Sequence, residues 1–352
     1  VDNREALDLL LAKNVVDVRR GSLFDQQPPP PGPGYSWDRV EGMMLGLAVG
    51  DSLGVTTEAK LPAERRRRYG EVRDYLPNRP VRLAPGERAQ GYPSDDTQLA
   101  FWTLEQMLED GGLVADRVAR RFSRDHIYGI GSAMKDFLRD LKSGKAWFLC
   151  GQPSAGNGAL MRIAPVLIPH LRSPSPALWA DTTLAAFITH NDTASIASCL
   201  AFVRMLWDLL GMTEAPSPGW WASTFVETAR DLETPKPYGP RGGQFVGWQG
   251  TLSAFVREKL EAARAQSLDT LAACNGWHSG AYLLETVPSV LYILERHARD
   301  PEEAIVRAVN DTRDNDSIAA IVGAAVGALH GRKRLPARWV ERLSGRTTDR
   351  DD

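Results

Sequence analysis

The residues best suited to chemistry in this sequence are acids that interrupt apolar helical patterns. Asp311, Asp314 and Asp316 stand directly before a long apolar stretch that begins at Ile318. Carboxylates beside a buried helix need a compensating cation, and Arg313 alone cannot neutralise three of them. Oxygen ligands without cysteine or paired histidine favour Mg²⁺ or Mn²⁺ over Zn²⁺. A solvated loop that caps the helix is the alternative interpretation of this segment.

A second group of acids opens another helix. Ser94, Asp95 and Asp96 precede an apolar stripe that includes Leu104 and Met107. Ser94 suits a helix N-cap, and acids in the first turn suit the positive end of the helix dipole. Capping needs only one of the two acids, so the pair favours a further role in metal binding.

A third acidic place lies in a stretch rich in glycine and alanine, residues 46–54. It contains Asp51 and is followed by Glu58. An apolar helix of this kind packs closely. Its glycines at positions 50 and 54 would let the backbone approach a ligand or turn sharply.

Two polar segments are candidates for ligand binding. Ser154 and the Gly-Asn-Gly sequence at 156–158 would expose backbone N–H groups to a phosphate, although an ordinary turn explains them as well. His190 interrupts two apolar helices, as a hydrogen-bonded helix-end histidine or as part of a site. The sequence contains no GxSxG, P-loop or GxGxxG motif, so the usual hydrolase, nucleotide-triphosphatase and dehydrogenase routes lack support.

Helical periodicity dominates the elements that must position these residues. Apolar residues recur at helical spacing in several stretches, and no convincing alternation of strand type is found. We therefore predict an all-α fold, with Pro288 kinking one helix. The stripes are Ala100, Thr103, Leu104, Met107 and Leu108; Ile196, Leu200, Val203, Trp207 and Leu210; Leu284, Val287, Leu291 and Leu294; and Ile318, Ile321, Val322, Ala325, Val326 and Leu329.

The composition is that of an average globular protein. Of 352 residues, 43% are hydrophobic and 24% charged, which excludes a disordered or collagen-like chain. A net charge of −2 argues against nucleic-acid binding as the main role. Three widely spaced cysteines favour a reducing, cytoplasmic location. No signal-peptide pattern opens the sequence, and residues 318–329 are too few to cross a bilayer, so no membrane association is expected.

The first 36 residues differ from the rest. A short apolar helix precedes a proline-rich segment at 26–34, which must be extended or irregular. We predict an N-terminal arm with a polyproline linker at 1–36, a catalytic domain at 37–345 and a charged tail at 346–352. The arm either packs on its own domain or reaches another chain. The proline-rich and glycine-rich stretches at 169–176, 215–219 and 234–250 are interpreted as loops, with a domain break near residue 215 as the alternative.

Taken in order, these motifs resemble the signature blocks of the ADP-ribosylglycohydrolases, a family that includes the dinitrogenase-reductase-activating glycohydrolases and the ADP-ribosylarginine hydrolases. The resemblance covers residues 39–331, most of the chain. It implies a compact, orthogonal multi-helix domain with two Mg²⁺ or Mn²⁺ ions at the bottom of a cleft. The matching blocks are GLAVGDSLG at 46–54 with Glu58, SDDT at 94–97, GNGALMRIAP at 156–165, Thr189-His190 and DNDSIA at 314–319.

The resemblance also implies roles for individual residues. One group of metal ligands would be Ser94, Asp95 and Asp96, and the other Asp314, Asp316 and Ser317. Glu58 would sit above the metals and, with Asp95 and Asp314, take part in catalysis. Ser154, Gly156, Asn157 and Gly158 would hold the phosphates of ADP-ribose, and His190 would line the cleft.

Two departures from the family pattern affect these expectations. Many relatives have Gly-Asp-Thr-Asp-Thr where this chain has Arg313 to Ser317. Serine keeps the hydroxyl ligand, whereas Arg313 would narrow or recharge the site. The arm at 1–36 is the second departure, since the family core does not need it.

The resulting hypothesis is a metal-dependent hydrolase that removes ADP-ribose from an ADP-ribosylated protein side chain, arginine above all, and so reverses an ADP-ribosyltransferase. Cleavage at the anomeric carbon would need proton transfer and a positioned water, with Glu58 as the candidate for proton transfer. The alternative is an immunity-type protein that neutralises a cognate ADP-ribosyltransferase through residues 1–36, with or without hydrolysis. A third possibility is hydrolysis of a small free ADP-ribose derivative.

Overall fold

The regular elements of the protein are all helical. The computed structural model describes residues 2–77 and 90–345. Within those ranges, strand-like pairing is limited to three isolated bridges, so the prediction of an all-α fold is confirmed. The α-helices in the described ranges are α1 (Asn3–Ala12), α2 (Trp37–Gly54), α3 (Pro62–Tyr69), α4 (Asp95–Asp110), α5 (Ala115–Arg124), α6 (Ser132–Lys142), α7 (Ala177–Phe187), α8 (Thr193–Gly211), α9 (Pro218–Leu232), α10 (Leu252–Ala265), α11 (Thr270–Gly276), α12 (Leu283–His297), α13 (Pro301–Asp311), α14 (Asn315–His330) and α15 (Ala337–Val340). Short 3₁₀ segments cover Ser22–Asp25, Val55–Thr57, Trp147–Leu149, Leu160–Arg162, Ala164–Leu171, Gly243–Phe245 and Arg332–Arg334.

The four apolar stripes of the sequence coincide with α4, α8, α12 and α14. Helix α14 is buried along nearly its whole length, because small and apolar residues cover all its faces. Pro288 lies inside α12, which continues on both sides of it. Helix α8 is long and apolar enough to cross a membrane by composition, but 89% of that window is buried within the protein, as in a core helix.

The centre of the fold is the antiparallel contact between α2 and α14. Glycines on α2 recur every fourth residue and meet the backbone of α14 directly. An added Cβ on Gly46 would overlap the carbonyl oxygen of Gly323, and one on Gly50 would overlap that of Ala319. The expectation that the backbone at Gly50 and Gly54 approaches a ligand is therefore wrong, because both glycines lie against the backbone of α14.

This contact brings two acidic segments together. Because α2 and α14 run antiparallel, the end of α2 lies beside the start of α14. Gly54 on α2 sits directly against the backbone of Asn315 and Asp316. Asp51 and Asp316 therefore converge, although they are far apart in the sequence.

Residues 2–36 lie along the domain that follows them in the chain. Leu7 and Phe24 are buried, and α1 packs against α7. The proline-rich segment is held by two indole N–H groups: Trp179 donates to the carbonyl oxygen of Gln26 at 2.7 Å, and Trp207 donates to that of Pro29 at 2.9 Å. The structure thus favours a tail packed on its own domain over an arm that reaches another chain.

The described part of the chain continues as one unit across residue 215. Helix α9 packs against α8 before this point and against α10 and α12 after it. These contacts oppose a domain break at this position. The predicted charged tail at 346–352 lies outside the described residues.

Candidate active site

A single cleft gathers the acids and the loop that the sequence singled out. It opens where α4 and α14 begin, beside the turn that follows α2. Ser94 lies just behind the cleft wall, where its hydroxyl is 3.2 Å from Asp96 Oδ2. The predicted residues that line the cleft are Glu58, Asp95, Asp96, Ser154, Gly156, Asn157, Gly158, His190, Asp314, Asp316 and Ser317.

The floor of the cleft is a cluster of carboxylates that suits a cation. Asp96 and Asp316 each bury an Oδ1 atom that has no hydrogen-bond partner among the described residues. Asp51, Asp96 and Asp316 offer oxygens within 4.8 Å of one another, and so do Glu58, Asp314 and Asp316. Unpaired buried carboxylates are costly. The donor set is made of hard oxygens, which fits Mg²⁺ or Mn²⁺.

Asp51 has a different role, because hydrogen bonds occupy its oxygens. Its Oδ1 accepts from the Ser94 hydroxyl at 2.8 Å, and its Oδ2 accepts from the Thr97 amide at 3.0 Å and the Thr97 hydroxyl at 2.6 Å. Asp51 therefore caps α4 from another helix. Ser94 occupies the N-cap position, but its side chain does not cap the helix, contrary to the sequence expectation. Asp51 holds the start of α4, where Asp95 and Asp96 lie.

Burial and mutual repulsion raise the pKa values of these acids. The pKa of Asp95 and of Asp96 lies well above the ordinary value, first because of burial and then because of the charge on Asp51. Glu58 is solvent-exposed as a residue, yet partial desolvation of its carboxyl and the charges of Asp314 and Asp51 raise its pKa to about 7. A bound divalent cation would favour the ionised forms and lower these pKa values.

A buried arginine, which the sequence analysis did not single out, fixes the turn that carries Glu58. Arg65 Nε donates to Thr57 Oγ1 at 2.8 Å, and Nη1 donates to the carbonyl oxygen of Thr312 at 2.8 Å. The Asn315 side chain donates to the same Thr57 hydroxyl at 2.9 Å. Arg65 thus joins the turn before Glu58 to the start of α14. Its only sequence signal is a position within the run of arginines on α3.

The Gly-Asn-Gly loop contacts the carboxylates of the cleft floor through the side chain of Asn157. Asn157 donates to Asp314 Oδ2 at 2.6 Å and to Thr286 Oγ1 at 3.1 Å. Its amide N–H donates to the carbonyl oxygen of Ala281 at 2.9 Å, and the Gly156 N–H donates to Ser154 Oγ at 3.2 Å. These two amides, predicted to bind phosphate, have acceptors inside the protein. The structure shows Asn157 orienting Asp314.

Comparisons with known proteins show the family of this chain. The sequence model of the ADP-ribosylglycohydrolase family matches residues 33–352. This chain belongs to the ADP-ribosylglycohydrolase family. Among solved structures, an ADP-ribosylglycohydrolase-related protein complex aligns with a TM-score of 0.59 and 25% identity, covering 87% of this chain and 92% of that one.

Two relatives with named activities support the same membership. The chain is 28% identical to the ADP-ribosylarginine hydrolase Tri1 of Pseudomonas putida (strain GB-1), over 89% of this chain and 76% of that protein. It is 26% identical to the ADP-ribosyl-[dinitrogen reductase] glycohydrolase of Rhodospirillum rubrum, over 87% of this chain and 90% of that protein. The resemblance inferred from the ordered motifs is thereby confirmed, and the chain is an ADP-ribosyl glycohydrolase by family.

Arg313 departs from the common family pattern without entering the cleft of this ADP-ribosylglycohydrolase. Its guanidinium donates to His278 Nε2 at 2.8 Å, and its backbone N–H donates to Ser279 Oγ at 3.1 Å. Arg313 is not among the residues that line the cleft. Arg313 therefore does not narrow the cleft, contrary to that part of the expectation. It anchors the segment that leads into Asp314.

Arg241 is a charged residue of the cleft that the sequence analysis did not single out. It lies in the loop between α9 and α10 and is the basic side chain among the residues that line the cleft. Its guanidinium stacks over the Tyr282 ring at 4.2 Å from the centroid. No carboxylate of the described residues forms an ion pair with it. The sequence signal was weak, because one arginine in a loop rich in glycine and proline has no helical pattern around it.

Proposed function

We propose that this chain is a metal-dependent hydrolase that removes ADP-ribose from ADP-ribosylated protein side chains, arginine in particular, by cleaving the N-glycosidic bond. One observation carries the proposal. Asp96 and Asp316 each present a buried, unpartnered carboxylate oxygen to the floor of a cleft. Membership of the ADP-ribosylglycohydrolase family supports ADP-ribosyl chemistry in that cleft.

The carboxylates fit two divalent cations, Mg²⁺ or Mn²⁺. Asp96 and Asp316 would serve one ion, and Asp314 and Asp316, whose oxygens lie within 4.8 Å of each other, would serve a second. Ser94, Asp95 and Ser317 adjoin these acids and complete the proposed ligand groups. Bound there, the cations would orient the hydroxyls of the distal ribose and lower the pKa of a water.

Glu58 is the group we assign to proton transfer. Hydrolysis breaks the bond between the ribose C1″ and the guanidine nitrogen, forms a C1″–O bond with water, and moves one proton from that water to the leaving nitrogen. In the metal-free protein, partial burial and the charges of Asp314 and Asp51 raise the pKa of Glu58 to about 7. Bound cations would lower this pKa, so that Glu58 is ionised and able to accept a proton from the attacking water. Its position on the cleft wall beside Asp314 allows contact with the reacting atoms.

The rest of the cleft suits the charged pyrophosphate part of ADP-ribose, which lies away from the bond that is cleaved. The Arg241 guanidinium would offset the charge of the pyrophosphate. His190 and the polar groups of the 154–158 loop other than the Gly156 and Asn157 amides would hold the adjoining sugar and phosphate oxygens. Contacts with these remote groups of the substrate would hold the glycosidic bond in the orientation that attack by water requires. The substrate partner would be an ADP-ribosylated protein.

Arginine as the acceptor is supported by the names of two relatives, the ADP-ribosylarginine hydrolases of Pseudomonas putida and Serratia proteamaculans. The proposed location is the cytoplasm, which suits three buried free cysteines.

The test measures free ADP-ribose released from an arginine-ADP-ribosylated protein, with Mg²⁺ or Mn²⁺ and then with EDTA. We expect release that requires the metal and is lost in Asp316→Asn. The exposed acid Asp25, mutated to Asn, serves as the matched control and should keep full release. Serine- and cysteine-linked substrates test the acceptor. A folded protein that binds the metal yet releases ADP-ribose from none of these substrates would refute the proposal.

A further inference from the structure

The Thr189 hydroxyl lies between a buried arginine and the histidine of the cleft. Arg162 Nη2 donates to Thr189 Oγ1 at 2.7 Å and to the carbonyl oxygen of Ala185 at 3.0 Å. On its other side, Thr189 Oγ1 is 2.8 Å from His190 Nδ1. Arg162, Thr189 and His190 are all nearly inaccessible to solvent. The three side chains form one continuous hydrogen-bonded chain that ends in the cleft.

The direction of this chain follows from the proton inventory of its members. An arginine side chain only donates, so Thr189 Oγ1 must accept from Arg162. The hydroxyl has one proton, and His190 Nδ1 is the acceptor that the described residues offer it. Thr189 Oγ1 could also accept from a proton on Nδ1, but its own hydroxyl proton would then have no acceptor among the described residues. We therefore place the ring proton of neutral His190 on Nε2 and treat Nδ1 as the acceptor.

We propose that Arg162 and Thr189 fix His190 as the neutral Nε2–H tautomer, so that it acts as a permanent hydrogen-bond donor to an acceptor oxygen of the ligand. Under this assignment His190 takes no part in proton transfer. Arg162 and Thr189 are positioning residues that act through His190. The ligand half of the proposal rests on the proposed function, in which that oxygen belongs to ADP-ribose.

The Nε2 edge of His190 faces the loop that borders the cleft. A Cβ added to Gly158 would lie 3.2 Å from Nε2, and one added to Gly156 would lie 3.8 Å from it. Within the described residues, Nε2 has no hydrogen-bond partner, and His190 lines the cleft. The two glycines therefore leave room for a ligand atom beside the donor.

The surroundings of His190 also oppose its protonation. Burial lowers the pKa of His190 to about 3, with a further contribution from the charge of Arg162. Arg162 itself is buried over the Phe122 ring, and its Nε and Nη1 have no hydrogen-bond partner among the described residues. An isolated buried cation is costly. Packing alone does not explain why an arginine is buried here, whereas its hydrogen bond to Thr189 gives it a role in positioning His190.

The tautomer is measured directly by two-bond ¹H–¹⁵N correlation spectra of the full chain labelled with ¹⁵N-histidine. Six histidines are present, and His190→Gln identifies the signal of interest. We expect the Nε2–H pattern for His190, unchanged between about pH 5.5 and about pH 8.5. A Nδ1–H pattern, or titration within that range, would overturn the assignment without reference to any ligand.

Substitutions at Thr189 test the positioning role. Thr189→Ser keeps the hydroxyl and should keep the wild-type spectrum, whereas Thr189→Val removes it and should give a mixture of tautomers. An unaltered spectrum in Thr189→Val would refute the role of this residue. If Thr189→Val does not fold, the wild-type spectrum and its pH series still decide the tautomer.

Calorimetric titration with ADP-ribose tests the ligand half. His190→Leu removes the donor and should bind ADP-ribose roughly 3- to 10-fold more weakly than His190→Gln, whose amide N–H can replace Nε2–H. Equal affinities of the two variants would show that Nε2 does not contact the ligand. If the wild-type protein shows the expected tautomer but does not bind ADP-ribose, the proposed function fails and the tautomer assignment stands.

Discussion

Asp51 accepts two hydrogen bonds from Thr97, one from its amide at 3.0 Å and one from its hydroxyl at 2.6 Å. The two residues belong to different helices, α2 and α4, and both are buried. A carboxylate that caps a neighbouring helix fixes the position of that helix's N-terminus. The positive end of the helix dipole, in turn, stabilises the negative charge of the carboxylate. The acids in the first turn of α4 are therefore placed by α2.

Thr97→Val tests this relationship. It removes a hydrogen bond to a buried carboxylate, and we expect the free energy of unfolding to fall by about 1.5–3 kcal/mol. Mg²⁺ binding should weaken as well, because the start of α4 loses a restraint. Urea unfolding and calorimetric titration with Mg²⁺ measure the two effects.

Thr56→Val is the matched control, because the Thr56 hydroxyl is buried without a hydrogen-bond partner among the described residues. We expect its stability to equal or exceed that of the wild type. A loss in Thr56→Val as large as that in Thr97→Val would mean that the cap contributes nothing specific.

The carboxylate floor predicts an unusual pH dependence for the metal-free protein. The pKa of Glu58 rises from an ordinary 4.5 to about 7, and the pKa values of Asp95, Asp96 and Asp316 also rise. Between about pH 4.5 and pH 7 the folded state then binds more protons than the unfolded state, so stability falls as pH increases. In EDTA, we expect a lower Tm at about pH 7.5 than at about pH 5.

Added Mg²⁺ should reverse this trend, because the cation binds the ionised carboxylates. At a concentration 100 times its Kd, a ligand adds about 2.7 kcal/mol to stability. Thermal unfolding with and without Mg²⁺ at both pH values gives the comparison. A metal-free protein that is more stable at the higher pH would contradict the account of the cluster.

The motif order of the sequence predicted most of the cleft. The resemblance placed Asp96 in one ligand group and Asp316 in the other, and the structure brings their carboxylate oxygens within 4.8 Å of each other. The antiparallel contact of α2 and α14 sets Asp51 beside Asp316, and Asp51 in turn holds the start of α4, where Asp96 lies. The periodicity of α4 and α14 was sufficient to predict both helices. Local sequence signals were strong at these positions.

The residues that the sequence could not assign act through contacts between distant segments. Asp51 looked like another acid of the site, and only its bonds to Ser94 and Thr97, more than forty positions away, show that it is a cap. The glycines at 50 and 54 looked like ligand contacts because the sequence does not show which backbone faces them. Arg241 approaches the cleft from an irregular loop, for which periodicity gives no information.

The contact between α2 and α14 predicts a large effect for Gly46→Ala. The added Cβ would overlap the Gly323 carbonyl oxygen, and two helix backbones cannot separate without disturbing the acids at their ends. We expect the free energy of unfolding to fall by about 1–3 kcal/mol and Mg²⁺ binding to weaken.

Gly219→Ala, in the first turn of α9, is the control for the same chemical change. A Cβ there meets nothing within 4 Å. Because alanine favours helix more than glycine, this variant should be as stable as the wild type or up to about 1 kcal/mol more stable. Equal effects of the two alanines would show that the close helix contact has no energetic importance.

The N-terminal segment predicts a difference between two leucines of α1. Leu7 is 2% exposed and Leu9 is 55% exposed. Leu7→Ala should lower the free energy of unfolding by about 2–5 kcal/mol, and Leu9→Ala should change it by less than about 0.5 kcal/mol. Denaturant unfolding of the isolated protein gives both values. If Leu7→Ala had no effect, the segment would be free to leave the domain and reach another chain.

Arg241 predicts an effect on substrate binding. It is the basic residue of the cleft wall, and its stacking on Tyr282 holds the guanidinium in place. If it contacts the pyrophosphate equally in the ground and transition states, Arg241→Ala should raise KM about 10-fold and leave kcat nearly unchanged. The KM of Arg241→Lys should lie between those of the wild type and Arg241→Ala, because lysine keeps the charge but loses the planar stacking. Arg68, an exposed arginine that stacks over Tyr69 at 5.3 Å from the ring centroid, provides the control Arg68→Ala, for which KM should not change. An unchanged KM in Arg241→Ala would place the phosphates elsewhere in the cleft.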